Sequence, residues 1–365
     1  MIESIAFDIL AFLVVLSIIV LIHEFGHFIV AKKIGVKVEK FSLGFGPKVF
    51  GRQIGETEYL VSALPLGGYV KLLGEDPSEE LPPEDKNRSY AVLSAYKKFL
   101  IIFCGPLFNF VLALIIFTIV FMTGSPVLKP VIGGLVKGKP ALKAGLKKGD
   151  IITSVNGKNV HSWAGLAYYI QKFGKKTLKL GVEEKIGNKN VHSIISVKPV
   201  LASGFNIYKQ KTKQYVIGII SSNSKNAVFY KYKGLAGSFY SALQEIWFII
   251  YVTIVGLFYI ITGKISASGL GGPILITQLS GHAASMGVSD FFRFIAIISV
   301  NIGFVNLLPI PALDGGHLLF SIIEMVKRSP LNEKFQETSA KIGFALLILL
   351  LLFVSYNDIL RIIKT

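Results

Sequence analysis

ILAFLVVLSIIVLIHEFGHFIVAKK, residues 9–33, sets two histidines and a glutamate into an apolar run. From Ile9 to Ile22 the only polar side chain is Ser17. A membrane-spanning helix needs about 20 mainly apolar residues, and Ile5–Ala31 supplies them. Glu3 and Asp8 stand where a cleaved leader carries basic residues, and no small-residue cleavage site follows. The segment is therefore expected to remain as a membrane helix. Lys32 and Lys33 follow directly, which places its C-terminal end in the cytoplasm and the N-terminus outside.

His23-Glu24-Phe25-Gly26-His27 has the form H-E-x-x-H. On a helix, positions i and i+4 share a face, so His23 and His27 can reach one metal ion. Glu24, beside the first ligand, can take a proton from water. Zinc suits two imidazoles and one carboxylate, and it lowers the pKa of a fourth-position water to about 7. Ionisable groups inside a span are costly and mark function. The bland alternative is that both histidines reach for the interface beside Lys32 and Lys33.

Outward from this helix, Phe99–Met122 and a segment around Ile342–Val354 read as further spans. Phe291–Leu313 is a fourth, although it contains Arg293, Asn301, Asn306 and two prolines. Ile246–Ile261 is apolar but short, either a tilted span or a helix lying in the interface. The interfacial reading is preferred here, because a full crossing reverses the side of every later segment. Lys327, Arg328, Lys334 and Lys341 then lie in a cytoplasmic loop.

The third ligand must come from another membrane segment. Residues 306–317 read NLLPIPALDGGH, and Asp314 is the only carboxylate between Phe291 and Ile323. Pro309 and Pro311 break the helix and free carbonyls at membrane depth. Gly315-Gly316 lets backbone approach closely. His317 and Glu324 are rival ligands, and a helix-capping role is the alternative for Asp314.

The 365 residues are 52% hydrophobic and only 17% charged, which excludes a disordered chain and disfavours an ordinary soluble enzyme. The single Cys104 excludes an internal disulfide and a cysteine zinc cluster. The net charge of +17 lies wholly between Ser125 and Leu235, which holds 20 Lys/Arg against 3 Asp/Glu. That segment is placed outside the cytoplasm, so nucleic acid is excluded as a partner. Long translocated domains escape the positive-inside rule. Anionic headgroups or acidic substrate tails are the partners such a charge suits.

From Pro126 to Val200, short apolar runs alternate with turn signals at Asn156-Gly157, Gly174-Lys175 and Gly187-Asn188. This predicts a small β-rich domain with one or two helices. GKPALKAGLKKGDIITSVNGKNV, residues 138–160, resembles the PDZ domains of bacterial membrane-associated proteases. Such domains bind extended peptides at a sheet edge. Residues 201–235 are either extra strands or a linker.

With HEFGH in the first span, NLLPIPALDGG in a later one and a PDZ-like insert between, the chain resembles the site-2 proteases of the bacterial RseP type over nearly its full length. The resemblance implies an intramembrane zinc metalloprotease. His23, His27 and Asp314 would hold Zn2+, and Glu24 would be the general base. Asn306, with Pro309 and Pro311, would bind the substrate helix. Gly105-Pro-Leu-Phe-Asn109 matches a family element and is read here as packing rather than catalysis. Residues Phe41–Leu73, with Gly44-Phe45-Gly46-Pro47 and Leu66-Gly67-Gly68-Tyr69, read as β-hairpins that in the family form a membrane re-entrant sheet.

The expected fold is an α-helical polytopic membrane protein with about four transmembrane helices, a re-entrant β-sheet and an inserted β-rich (α+β) PDZ domain. The divisions are 1–31 for the first helix, 32–98 for the cytoplasmic hairpins, 99–123 for the second helix and 124–235 for the PDZ domain with its linker. They continue with 236–289 for a membrane-associated helix and loop, 290–325 for the third helix, and 326–365 for a cytoplasmic loop and the fourth. The location implied is a bacterial inner membrane, with the PDZ domain on the periplasmic side. The partners implied are lipid and single-pass membrane proteins, such as an anti-sigma factor or signal-peptide remnants, acted on by a monomer. The rival readings are a metal transporter, which lacks the expected repeat symmetry, and a PDZ scaffold with a decayed site, which the presence of Glu24 opposes.

Overall fold

A computed structural model describes the chain apart from residues 1, 76–80, 82, 187–188, 206–209, 223, 225–226, 268–269 and 365. It divides into two units, residues 1–120 with 235–365, and the inserted residues 121–234. The first unit begins with helix α1, Ile2–Ile34, which stops at Gly35 in the left-handed region (φ 95°). Strands β1, Val38–Ile54, and β2, Thr57–Leu72, follow, and then helix α2, Ala95–Met122. The two long strands bend on themselves. Residues 40–43 pair with 58–61 and also with 68–71, while 50–54 close back on 57–61. Phe28 of α1 holds this sheet, its ring edge-on to Phe41 at 5.1 Å and to Tyr59 at 5.9 Å. Val36, Val38, Leu72 and Ile101 complete that core. The far tip of the sheet leaves Val49, Phe50, Ile54 and Leu64 exposed.

The inserted unit is β-rich with two helices, as the turn pattern predicts. Strands β3, Ser125–Leu128, and β4, Ile132–Leu135, lead into α3, Pro140–Lys143. Then come β5, Ile151–Val155, β6, Lys158–Asn159, and α4, Trp163–Phe173. Strands β7, Leu178–Ile186, and β8, Lys189–Val197, complete a four-stranded antiparallel sheet of order β6-β5-β7-β8. Asn156 and Gly157 both take positive φ (50° and 78°), the requirement of a tight turn whose twist matches its strands. The Gly187-Asn188 turn falls outside the described residues. Residues 201–235 are not a linker. They form most of β9, Val200–Phe205, with β10, Lys211–Val216, β11, Ile219–Ser221, and β12, Val228–Lys231. β11 pairs with β4, and β12 pairs back with β3, so the unit closes at its own entrance. Ile132, Leu146, Ile152, Leu166, Leu178, Leu180 and Ile217 fill the core.

The first unit resumes with α5, Leu235–Ile261, α6, Pro273–Met286, α7, Val288–Asn306, α8, Asp314–Lys327, and α9, Glu333–Lys364. The expected single third helix over 290–325 is two helices, α7 and α8. A proline cannot donate a backbone hydrogen bond and disfavours helix in the residue before it, so Pro309 and Pro311 leave 307–313 irregular. The block Ile246–Ile261 is the second half of a 27-residue helix. By length and composition, five helices among the described residues can cross a membrane, not four.

The expected reversal of later segments does not follow from this. Arg293 of α7 donates to Glu245 of α5 (3.3 Å), and Thr253 of α5 donates to Asn301 of α7 (2.9 Å). The two helices therefore run in the same direction, and residues 262–286 carry the chain back between them. That return is pinned by Asp358 of α9, a fully buried carboxylate. It accepts from the backbone N–H of Gly272 (3.1 Å) and of Leu275 (3.0 Å) at the start of α6. Asp358→Ala strands both donors and is expected to lower stability by about 1–3 kcal/mol, read as the thermal midpoint of the detergent-solubilised protein. An unchanged midpoint would show that the return segment is held elsewhere.

Candidate metal centre

α1 and α2 run antiparallel and nearly touch. A Cβ on Gly26 would overlap the Cys104 carbonyl, and a Cβ on Gly105 would overlap the His27 imidazole. Small residues permit this approach where apolar burial gives helices no drive to associate. His23 and His27 share one face of α1, and both turn toward this seam. His27 Nδ1 donates to the Ile101 carbonyl at 2.9 Å, which leaves the Nε2 lone pair facing inward.

Asp314 arrives from the other side at the start of α8. The irregular 307–313 stretch folds tightly under it, and a Cβ on Gly315 would overlap the Leu308 carbonyl. His23 Nε2 lies 3.2 Å from His27 Nε2 and 3.0 Å from Asp314 Oδ2, and His27 Nε2 lies 3.6 Å from the same oxygen. Asp314 Oδ2 is buried without a hydrogen bond of good geometry. Three acceptor atoms so close repel unless a cation or proton sits among them. Ligands about 2.0–2.1 Å from a tetrahedral ion are about 3.3–3.4 Å apart, so the triangle fits zinc. These three residues are the one such cluster found among the described residues.

The rivals are placed differently. His317 lines the same cavity but is exposed and outside the cluster. Glu324 accepts from the Leu331 N–H at 2.9 Å and is spoken for. The cavity, about 510 Å³, is lined by His23, Glu24, His27 and Asp314, by Asn306 at the end of α7, and by Tyr69 and Val70 of β2. Glu24 accepts a hydrogen bond from the Val70 N–H, which ties it to the sheet. Pro309 and Pro311 are not among the lining residues. Pro309 is exposed, and Pro311 packs under Gly316, so both shape the turn. Glu75 also lines the cavity, where burial pushes its carboxyl up, opposed by the hydrogen bond it accepts from the Leu72 N–H.

Two residues of α2 stand closer to the chemistry than the sequence reading placed them. Gly105 and Asn109 were read as close helix packing with a hydrogen bond across it, and what went unread is that their partners are the site imidazoles: Gly105 makes room for both rings and Asn109 Nδ2 lies 3.2 Å from His23 Nδ1. Their four-residue spacing from Ile101 was the available signal.

Known proteins are similar to this chain over most of its length. A Campylobacter jejuni protein provisionally named a zinc metalloprotease is 37% identical over 359 residues, covering 98% of this chain and 94% of that protein. The zinc metalloprotease RasP of Geobacillus kaustophilus is 30% identical over 427 residues, covering 96% and 97%. The PDZ domain of an SdrC-like protein of Listeria innocua is 27% identical, covering 26% of this chain and 96% of that domain. Its TM-score of 0.19 is too low to assign the inserted unit's fold. The model for peptidase family M50 matches residues 11–350. Two imidazoles and a carboxylate converging among long apolar helices thus belong to a membrane zinc metalloprotease, and the chain is a member of peptidase family M50, the site-2 proteases.

Proposed function

We propose that the protein cuts single-pass membrane proteins within their transmembrane segments. The observation that carries this is where the cluster stands. His23, Glu24 and His27 follow the apolar run of α1, and Asp314 comes from the break after α7, another helix long and apolar enough to span. Side chains so placed suit a substrate that itself lies in the membrane.

When bound by His23, His27 and Asp314, zinc supplies a Lewis acid that polarises the scissile carbonyl and acidifies water. Glu24 takes the proton as water attacks and passes it to the leaving amine, so one peptide bond becomes a carboxylate and an amine. A helical substrate screens its carbonyls with its own hydrogen bonds and must be extended first. Residues 68–71 pair with 40–43 on one side only, which leaves an edge for an added strand beside Glu24. Asn306 can hold the unwound substrate's carbonyls with its amide. The exposed apolar tip of the sheet suits insertion into lipid.

The inserted unit is a PDZ domain on the periplasmic side of a bacterial inner membrane in this reading. It filters or docks the outer part of substrates such as an anti-sigma factor or signal-peptide remnants. The full protein in liposomes with a single-pass substrate tests this. Cleavage should stop with a chelator, return with zinc and map inside the apolar segment. Cuts confined to the soluble flanks would defeat it, and zinc flux without any cut would favour transport.

A further inference from the structure

One stripe of α2, at four-residue spacing, addresses the two imidazoles in turn. The Ile101 carbonyl accepts from His27 Nδ1, Gly105 leaves room for both rings, and Asn109 meets His23 Nδ1. Asn109 is fully buried, and its Oδ1 has no hydrogen-bond partner. Its Nδ2 lies 3.2 Å from His23 Nδ1. An amide N–H pointed at Nδ1 requires a lone pair there. A neutral imidazole then carries its proton on Nε2, the atom that faces Asp314 and His27. A protonated Nε2 cannot hold a metal. A half-turn of the amide exchanges its two ends and breaks no bond at the unpartnered Oδ1.

From this we infer that Asn109 is a positioning residue for the metal centre. Its Oδ1 accepts a hydrogen bond from His23 Nδ1–H, which fixes the tautomer whose Nε2 lone pair faces the ion. Asn109 then does for His23 what the Ile101 carbonyl does for His27. Both partners sit on one helix, so α2 aims both imidazoles of α1. Asn109 is itself anchored, because the Ser299 hydroxyl of α7 donates to its backbone carbonyl at 2.9 Å. The inference rests on zinc being held by His23, His27 and Asp314.

The test is zinc affinity, measured by competition with a chromophoric chelator on the full protein in detergent. Asn109→Leu keeps the volume and removes the acceptor, and its affinity is expected to fall about 10–100-fold. Asn109→Asp keeps an acceptor at the same place and is expected to stay within about 3-fold of the parent. Thermal unfolding reports whether each variant is folded, and Asn109→Ala, with the same expected loss, replaces a leucine variant that is not. Native-like affinity in the leucine or alanine variant overturns the inference. So does an aspartate variant that is folded yet as weak as leucine, since that pattern means a donor is needed. A parent protein that binds no zinc refutes the reading of the metal centre instead.

Discussion

Glu24→Gln is expected to slow cleavage of a single-pass substrate by about 10²–10⁴-fold while bound zinc stays at the parental level. Glutamine matches glutamate in shape and can still accept from the Val70 N–H, so the sheet stays tied to α1. What it cannot do is take a proton from water. The two readouts separate chemistry from architecture. Cleavage that persists would remove Glu24 from proton transfer. Loss of zinc would mean that Glu24 shapes the metal centre, because it is not one of the three converging side chains.

Gly105→Ala is expected to lower zinc affinity by about 10-fold or more, with cleavage falling alongside. Local propensity argues the other way, since alanine in a helix interior is favoured over glycine by about 1 kcal/mol. Packing overrides that gain. The new Cβ would overlap His27 Nε2 and stand 3.0 Å from His23 Cε1. To clear it, His27 must swing away, which breaks its bond to the Ile101 carbonyl and opens the triangle with Asp314. Helix content by circular dichroism should hold or rise while zinc is lost. An alanine variant with parental affinity would show that α1 and α2 separate easily, and that the close seam is not what aims the ligands.

Much of the architecture could be read along the chain, because its signals are local. The apolar runs of α1 and α2 announce themselves by length. The Asn156-Gly157 turn requires only two positive φ values. The break after Asn306 follows from prolines that cannot continue a helix. The pair His23 and His27 needs only the helical period. Errors arose where an element depends on distant partners. Ile246–Ile261 looked short because Leu235–Glu245 is polar enough to hide the first turns of α5. Those turns are helical against α7, where Glu245 meets Arg293. Residues 201–235 stayed undecided between extra strands and a linker because β11 and β12 find their partners, β4 and β3, far back in the chain.

By itself, then, the sequence determined which side chains can do chemistry and that His23, Glu24 and His27 ride on a membrane-length helix. Residue type and the 3.6-residue period are properties of a short segment, and a short segment reveals them. Only the tertiary structure decided how those side chains are aimed. Asp314 rather than His317 meets the histidines because a glycine-tight turn brings the start of α8 under α1. Glu24 faces β2 because Phe28 clamps the sheet to the same helix. Gly105 and Asn109 matter because α2 lies against α1 with no side chain between. On a helix an imidazole keeps two χ1 settings and a broad χ2, so its own helix leaves several aims open. Contacts with residues far along the chain make that choice, and their pairing cannot be read from one segment at a time.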